Sequence, residues 1–171
     1  MSPRVVLVGP MGAGKTTVGR ILAERWGVVF RDTDDDVEQA DGRTISDIFV
    51  ESGEEHFRAL ERAAVARALA EHTGVLAVGG GAVMDHDSRA ALAAHPVVFL
   101  RVGLSDAATR VGLGTSRPLL LGNVRGTMKA LLDERTPVYE SVAVAVVDTD
   151  GRTPDEVADL VETQIVEGLD G

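Results

Sequence analysis

A chain of 171 residues with 44% hydrophobic and 26% charged side chains has an ordinary globular composition and enough length for a sizeable core. Its formal net charge of −10 argues against nucleic acid or an anionic membrane as a partner, since both need a basic patch. The absence of cysteine rules out disulfides and thiolate metal sites.

The opening Met1-Ser2-Pro3-Arg4 carries no apolar signal segment. No apolar run approaches the ~20 residues that cross a bilayer. These features predict a soluble cytoplasmic protein. No internal repeat, low-complexity tract or linker interrupts the chain, so residues 1–171 are expected to form one domain. Strand and helix patterns alternate throughout, which predicts an α/β fold with helices on both faces of a parallel sheet.

Arg4-Val5-Val6-Leu7-Val8 reads as a buried strand. It leads into Gly9-Pro10-Met11-Gly12-Ala13-Gly14-Lys15-Thr16, the phosphate-binding pattern Gly-x-x-x-x-Gly-Lys-[Ser/Thr]. A helix with Val18, Ile21, Leu22 and Trp26 at helical spacing follows. Strand, loop and helix are the context in which this motif has meaning. Gly12 and Gly14 let the backbone form a nest of N–H groups for phosphate oxygens. The helix N-terminus favours an anion there. Lys15 supplies charge to the outer phosphates, and the Thr16 hydroxyl is placed to ligate Mg²⁺.

Gly27 ends the helix, and Val28-Val29-Phe30 reads as the second strand. Asp32 and Asp34 then fall beyond a strand's carboxyl end, where open α/β sheets bind ligands. They suit Mg²⁺ and a substrate hydroxyl. Alternatively they belong to a solvated loop, or cap a helix starting near Val37. Thr44–Val50 predicts a short helix, broken at Ser52-Gly53, and residues 54–72 a long one. Arg58 lies near the start of the latter. It is either functional or paired on the helix surface with Glu54 and Glu61.

Gly74–Val78 reads as a buried strand ending at Gly79-Gly80-Gly81. Three glycines at that point mean either backbone open to close approach by a ligand or a strained turn. A helix is expected over residues 87–94, a strand over 97–100, and a helix capped by Ser105 and running to Val111. The Gly-bounded stretch at about 112–124 reads as a lid. Within it, Arg117 is available to a transferring phosphoryl group or is a surface arginine. Residues 126–134 are expected to be helical, and 142–147 to form the fifth strand. Thr153-Pro154-Asp155-Glu156 is a capping box opening the last helix. The histidines have no metal-ligand spacing. Trp26 and Met128 read as core.

Taken together, these motifs resemble the shikimate kinase family. The resemblance rests on Gly12-Ala13-Gly14-Lys15-Thr16-Thr17, Asp32-Thr33-Asp34, Phe57-Arg58-x-x-Glu61, Gly79-Gly80-Gly81, Arg117-Pro118-Leu119, Glu134-Arg135-x-Pro137-x-Tyr139 and Arg152. It covers the chain from Val5 to about Leu169.

The resemblance implies a three-layer α/β/α P-loop NTPase of the nucleoside monophosphate kinase type. It would have a five-stranded parallel sheet, substrate-binding helices at about 33–61 and a lid loop. The implied activity is MgATP-dependent phosphorylation of shikimate to shikimate 3-phosphate, toward chorismate and the aromatic amino acids. By the same resemblance, Lys15, Asp34 and Arg117 are catalytic, and Thr16 and Asp32 serve Mg²⁺. ATP is held by residues 12–17, Arg110, Arg117 and Arg152. Arg58 and Arg135 bind the carboxylate, with Asp34 and Gly79, Gly80 and Gly81 also on the acid substrate. Ile45, Phe49, Phe57, Pro118 and Leu119 form apolar walls. The expected partners are ATP and shikimate, and the expected state is a monomer. The rivals are another small-metabolite kinase, such as a gluconate kinase, or a non-catalytic nucleotide-binding module.

Overall fold

The structure, a computed structural model, describes residues 2–103, 106–107 and 124–170. Its sheet has five strands: β1 (Val5–Val8), β2 (Phe30–Asp32), β3 (Val75–Ala77), β4 (Val97–Arg101) and β5 (Ala145–Asp148). Their spatial order is β2-β3-β1-β4-β5, and every pairing is parallel. The predicted five-stranded parallel α/β architecture is therefore present. The described helices are α1 (Lys15–Trp26), α2 (Thr33–Asp41), α3 (Ile45–Glu71), α4 (His86–Leu92), α5 (Val124–Val142) and α6 (Pro154–Asp170). None of them is long and apolar enough to cross a membrane.

β1 is central and buried on both faces, which is why it reads as an unbroken apolar run. Its alternate side chains serve two cores. Val5 and Leu7 pack with Val18 and Leu22 of α1 and Val161 of α6. Val6 and Val8 pack with Leu69 of α3, Phe99 of β4 and Tyr139 of α5. Full burial of each such side chain is worth ~1.5–3 kcal/mol. A third cluster, Val37, Ile48, Phe57 and Ala64, joins α2 to α3.

Several predicted boundaries are corrected. The second strand lies at residues 30–32, not 28–30. The Val28 N–H closes the end of α1 by bonding the Ala23 carbonyl, and Val29 is exposed. β2 is an edge strand, so it tolerates Arg31 and Asp32. α2 begins at Thr33 rather than near Val37. The Asp32 carboxylate caps it by accepting the Asp34 N–H at 2.9 Å, and Asp34, Asp35 and Asp36 in its first turn suit the helix dipole. α5 runs past residue 134 to Val142, straight through Pro137. Burial of Met128, Tyr139 and Val142 on its inner face outweighs the ~3 kcal/mol that an interior proline costs. β5 starts later in consequence. α4 is shorter than expected at residues 86–92, capped by Asp85 accepting the Ser88 N–H at 2.9 Å.

The expected break at Gly53 is present as an interruption of α3, with φ 87° and ψ 168°. The capping box of α6 is formed in both directions, Thr153 N–H to Glu156 at 3.1 Å and Glu156 N–H to Thr153 at 3.2 Å. Most of the expected 105–111 helix and the 112–124 lid, with Arg110, Arg117, Pro118 and Leu119, lies outside the described residues.

Candidate active site

A cavity of roughly 320 Å³ opens beyond the carboxyl ends of β1, β2 and β3, flanked by α2, α3 and α5. The loop from β1 to α1 forms one wall. Gly12 (φ 83°) and Gly14 (φ 90°) hold left-handed conformations there that side-chained residues avoid. Gly14 is also the N-cap of α1, so the first N–H groups of that helix end at the cavity. Lys15 crosses the loop and donates to the carbonyls of Gly9 at 2.6 Å and Pro10 at 3.1 Å. Thr16 and Thr17 line the cavity, whereas the Ala13 side chain packs into the core behind the loop.

Asp32 reaches the same wall. Its carboxylate accepts from the Thr16 hydroxyl at 3.4 Å and from the Asp34 N–H at 2.9 Å. Burial raises its pKa above the ordinary value; the Asp34 N–H and the nearby Lys15 charge oppose this without overcoming it. Such a group gains from a neighbouring cation. The donor set of one hydroxyl and one carboxylate is sparse, and no cluster of three acidic or histidine ligands occurs among the described residues. That fits Mg²⁺, which keeps several waters and takes substrate phosphates rather than an all-protein cage.

The opposite wall comes from α3 and α5. Ile45, Ser46, Phe49, Phe57, Arg58 and Glu61 of α3 line it. Arg58 donates to Glu61 at 2.7 Å and lies 3.5 Å from Glu54. The surface-pair reading of Arg58 is thus half right, because Glu54 is exposed but the Glu61 side chain is only 4% exposed. Burial raises the pKa of Glu61, with the Arg58 and Arg135 charges pulling the other way. Arg135 projects from α5 into the cavity lining, and its Nε is buried with no hydrogen-bond partner among the described residues. Two guanidinium groups therefore meet one buried carboxylate, leaving positive charge facing the cavity.

The triple glycine lies between these walls. None of the three has a positive φ, so the strained-turn alternative fails. Their requirement is close approach. A Cβ on Gly79 would lie 2.7 Å from Asp34 Oδ1 and 2.9 Å from Glu61 Oε2. A Cβ on Gly81 would lie 2.6 Å from both terminal nitrogens of Arg58. Gly80 faces the phosphate loop, with the Gly9 carbonyl 3.4 Å and the Met11 N–H 3.6 Å from the position of such a Cβ.

Lys15, Thr16, Asp32, Asp34, Arg58, Gly80, Gly81 and Arg135 thus gather at one cavity, with the apolar Ile45, Phe49 and Phe57. Arg152 is exposed in the turn after β5 and is not among the cavity's lining residues. Three contributions were not read from sequence. The buried Thr33 hydroxyl accepts the Gly79 N–H at 3.2 Å, tying the acidic loop to the glycine turn. Tyr139 donates its phenol hydroxyl to the Gly80 carbonyl. Glu61 occupies the face that Phe57, Ala64 and Val65 bury. A lone carboxylate within that apolar stripe was the available signal for Glu61; nothing comparable marks Thr33.

Comparison with known proteins adds an independent line. A family model described as shikimate kinase matches residues 11–166. The shikimate kinase of Thermobifida fusca is 58% identical over 163 residues, covering 95% of each chain. That of Salinispora arenicola is 62% identical over 158 residues, 92% of this chain and 95% of its own. Among solved structures, the shikimate kinase from Acinetobacter baumannii in complex with shikimate superposes with a TM-score of 0.93 at 36% identity, covering 98% of this chain and 94% of that one. A gluconokinase from Sinorhizobium meliloti reaches a TM-score of 0.59 at 21% identity, a likeness of fold alone.

Proposed function

The chain belongs to the shikimate kinase family, and from that premise we infer that it transfers the γ-phosphoryl group of ATP to the 3-hydroxyl of shikimate, giving shikimate 3-phosphate and ADP. One observation carries the reading at the level of chemistry. A phosphate loop and a pair of arginines around a buried glutamate face each other across one cavity, with Asp34 between them. A substrate with a carboxylate at one end and a reactive hydroxyl at the other matches that arrangement.

The residue roles are our assignment. The N–H groups of residues 12–17 cradle the ATP phosphates, and Lys15 leaves its two carbonyl partners to neutralise the outer ones. Arg58 and Arg135 bind the shikimate carboxylate; each charge-assisted hydrogen bond is worth ~1.5–3 kcal/mol. Asp34 orients the 3-hydroxyl and accepts its proton. Phosphoryl transfer proceeds through a loose transition state, so fixing the hydroxyl in line matters more than the strength of the base. Gly80 and Gly81 present backbone to the ring, Gly79 stands behind them with its N–H held by Thr33 and its carbonyl by Ala82, and Ile45, Phe49 and Phe57 exclude water from the ring.

Thr16 would hold Mg²⁺ directly and Asp32 through water, an ion that supplies charge neutralisation on the β- and γ-phosphates. Arg117 would act with Lys15 on the moving phosphoryl group. By the same assignment Arg110 and Arg152 would serve the adenine end of ATP, and Pro118 and Leu119 would add to the apolar wall. We take residues 33–61 as the substrate-binding helices of a single domain. The enzyme would act as a cytoplasmic monomer.

ADP release with MgATP, measured in parallel with shikimate, gluconate, AMP and no acceptor, tests the reading. Turnover with shikimate alone is expected. Turnover with gluconate alone would overturn the roles of Arg58 and Arg135. No turnover with any acceptor, in protein that binds ATP, would favour a non-catalytic nucleotide-binding module.

A further inference from the structure

We propose that Tyr139 is a positioning residue for the hydroxy-acid substrate, its phenol fixing the orientation of the Gly80–Gly81 peptide and linking that backbone to Arg135 through α5. The proposal rests on the assignment of the cavity to shikimate. It starts from helix geometry. Residues four apart on a helix share a face, so Arg135 and Tyr139 are delivered side by side. Arg135 goes to the cavity wall, while Tyr139 is fully buried behind it. The phenol ring packs on Phe99 of β4, with centroids 4.9 Å apart. Its hydroxyl donates to the Gly80 carbonyl.

Gly80 has no side chain to hold it, and its conformational freedom is large. The bond from Tyr139 removes that freedom from one side, and the phosphate loop closes the other, its Gly9 carbonyl 3.4 Å from where a Cβ on Gly80 would sit. In a planar trans peptide the C=O and the following N–H point in opposite directions. Holding the Gly80 carbonyl toward Tyr139 therefore aims the Gly81 N–H the other way. Among the described residues, neither the Gly80 nor the Gly81 N–H has an acceptor. Both residues line the cavity, so these donors remain for a ligand there. The bland alternative is a core tyrosine whose hydroxyl merely finds a partner; it predicts an effect on stability and none specific to one substrate.

The hydroxyl is suited to holding a carbonyl because it stays protonated. Burial pushes its pKa up to about 12, and the Arg135 charge, its hydrogen bond to the phenol oxygen and the Arg58 charge only partly offset this. Among the described residues the charged groups facing it are Arg135 on its own helix and Arg58 and Glu61 on α3, and β4 places the uncharged Phe99 against its ring. Ionisation would turn the donor into an anion beside a carbonyl oxygen and release the peptide.

Two variants test this beside the unaltered enzyme, whose turnover with shikimate checks the underlying assignment separately. Tyr139→Phe keeps the ring and removes the hydroxyl. KM for shikimate should rise about tenfold, the scale of one lost hydrogen bond, with KM for MgATP within about twofold and the loss in KM rather than kcat. An unchanged KM for shikimate, or equal rises in both KM values, would overturn the proposal. Should that variant fail to fold, Tyr139 replaced by a fluorinated tyrosine keeps the donor but makes it more acidic. KM for shikimate should then climb at a lower pH than in the unaltered enzyme while KM for MgATP does not follow. Superimposable pH profiles would reject the role.

Discussion

Arg58 shows how a short-range ion pair can be part of a binding site. An exposed i,i+3 pair is worth ~0.2–0.5 kcal/mol and would merit no comment. Here the partner, Glu61, is buried among apolar residues, and the guanidinium is close-packed over Gly81. Arg58→Ala should raise KM for shikimate ~10- to 100-fold and leave KM for MgATP nearly unchanged, measured by coupled ADP release. An equal loss for both substrates would mean that the residue is structural. Lys15→Ala should reduce turnover below detection in protein that keeps its circular dichroism spectrum, and surviving activity would remove the phosphate-loop assignment. Gly79→Ala inserts a methyl group 2.7 Å from Asp34 and 2.9 Å from Glu61. Displacing these carboxylates by a fraction of an ångström should cost kcat/KM for shikimate up to ~10²-fold. A near-normal kcat/KM would show that the two side chains move aside freely.

At the level of elements, legibility followed the kind of signal involved. β1, the phosphate loop, α1 and the capping box of α6 were read correctly because each is written in local sequence. Misreadings occurred where tertiary packing overrides local preference. Pro137 stops a helix on propensity alone, yet the buried face of α5 carries the helix on to Val142. Val28-Val29 has the composition of a strand, but pairing with β3 selects Phe30–Asp32 instead. The site residues were legible as chemistry wherever a charge stood near a strand end. Tyr139 and Thr33 were not assigned, because their roles depend on contacts across 59 and 46 residues of sequence.

The join between α1 and α6 offers a test of which local feature matters. Arg25 reaches Asp155, Asp159 and Glu162 across that join, but Asp155 and Asp159 are largely solvated and Glu162 is 36% exposed. The Thr153 cap satisfies a backbone donor that would otherwise have no helical partner. Thr153→Ala should cost ~1 kcal/mol in urea denaturation, and Arg25→Ala should cost less. The reverse order would show that the network acts cooperatively.

Across the molecule, the described carboxylates with shifted pKa values fall into two opposing sets. Asp148 is held below its ordinary pKa by Arg101, and Asp41 by Arg43. Their contribution to stability is present above the unfolded pKa and is lost as pH falls through the folded one, in the acid range below about 4. Glu61 and Asp32 are raised by burial, so their contribution is present below the unfolded value and is lost as pH rises through the folded one. Glu61→Gln removes one member of the second set. The difference in Tm between the unaltered protein and this variant should be most favourable to the unaltered protein near pH 4, and should shrink toward pH 7. A difference that grows with pH would mean that the Arg58 pair outweighs the cost of burying Glu61.

Gly53 divides the cavity's own wall. Ile45, Ser46 and Phe49 stand on one side of it, and Phe57, Arg58 and Glu61 on the other. The second group belongs to the arm of α3 that His72 fastens to the sheet, its ring nitrogen 3.0 Å from the carbonyls of both Val29 and Val75. The first arm is a lever extending roughly 12 Å from Gly53 to Ile45 at ~1.5 Å per residue. Ile48 of this arm packs with Phe57 and Ala64 of the anchored one, and the Phe49 and Phe57 rings lie 4.8 Å apart. A turn of about 10° at the pivot, ~2 Å at the tip, has to repack that seam. The width of the cavity on its apolar side is therefore set jointly by the backbone torsions of Gly53 and by how Ile48 and Phe49 pack on Phe57, the neighbour of Arg58.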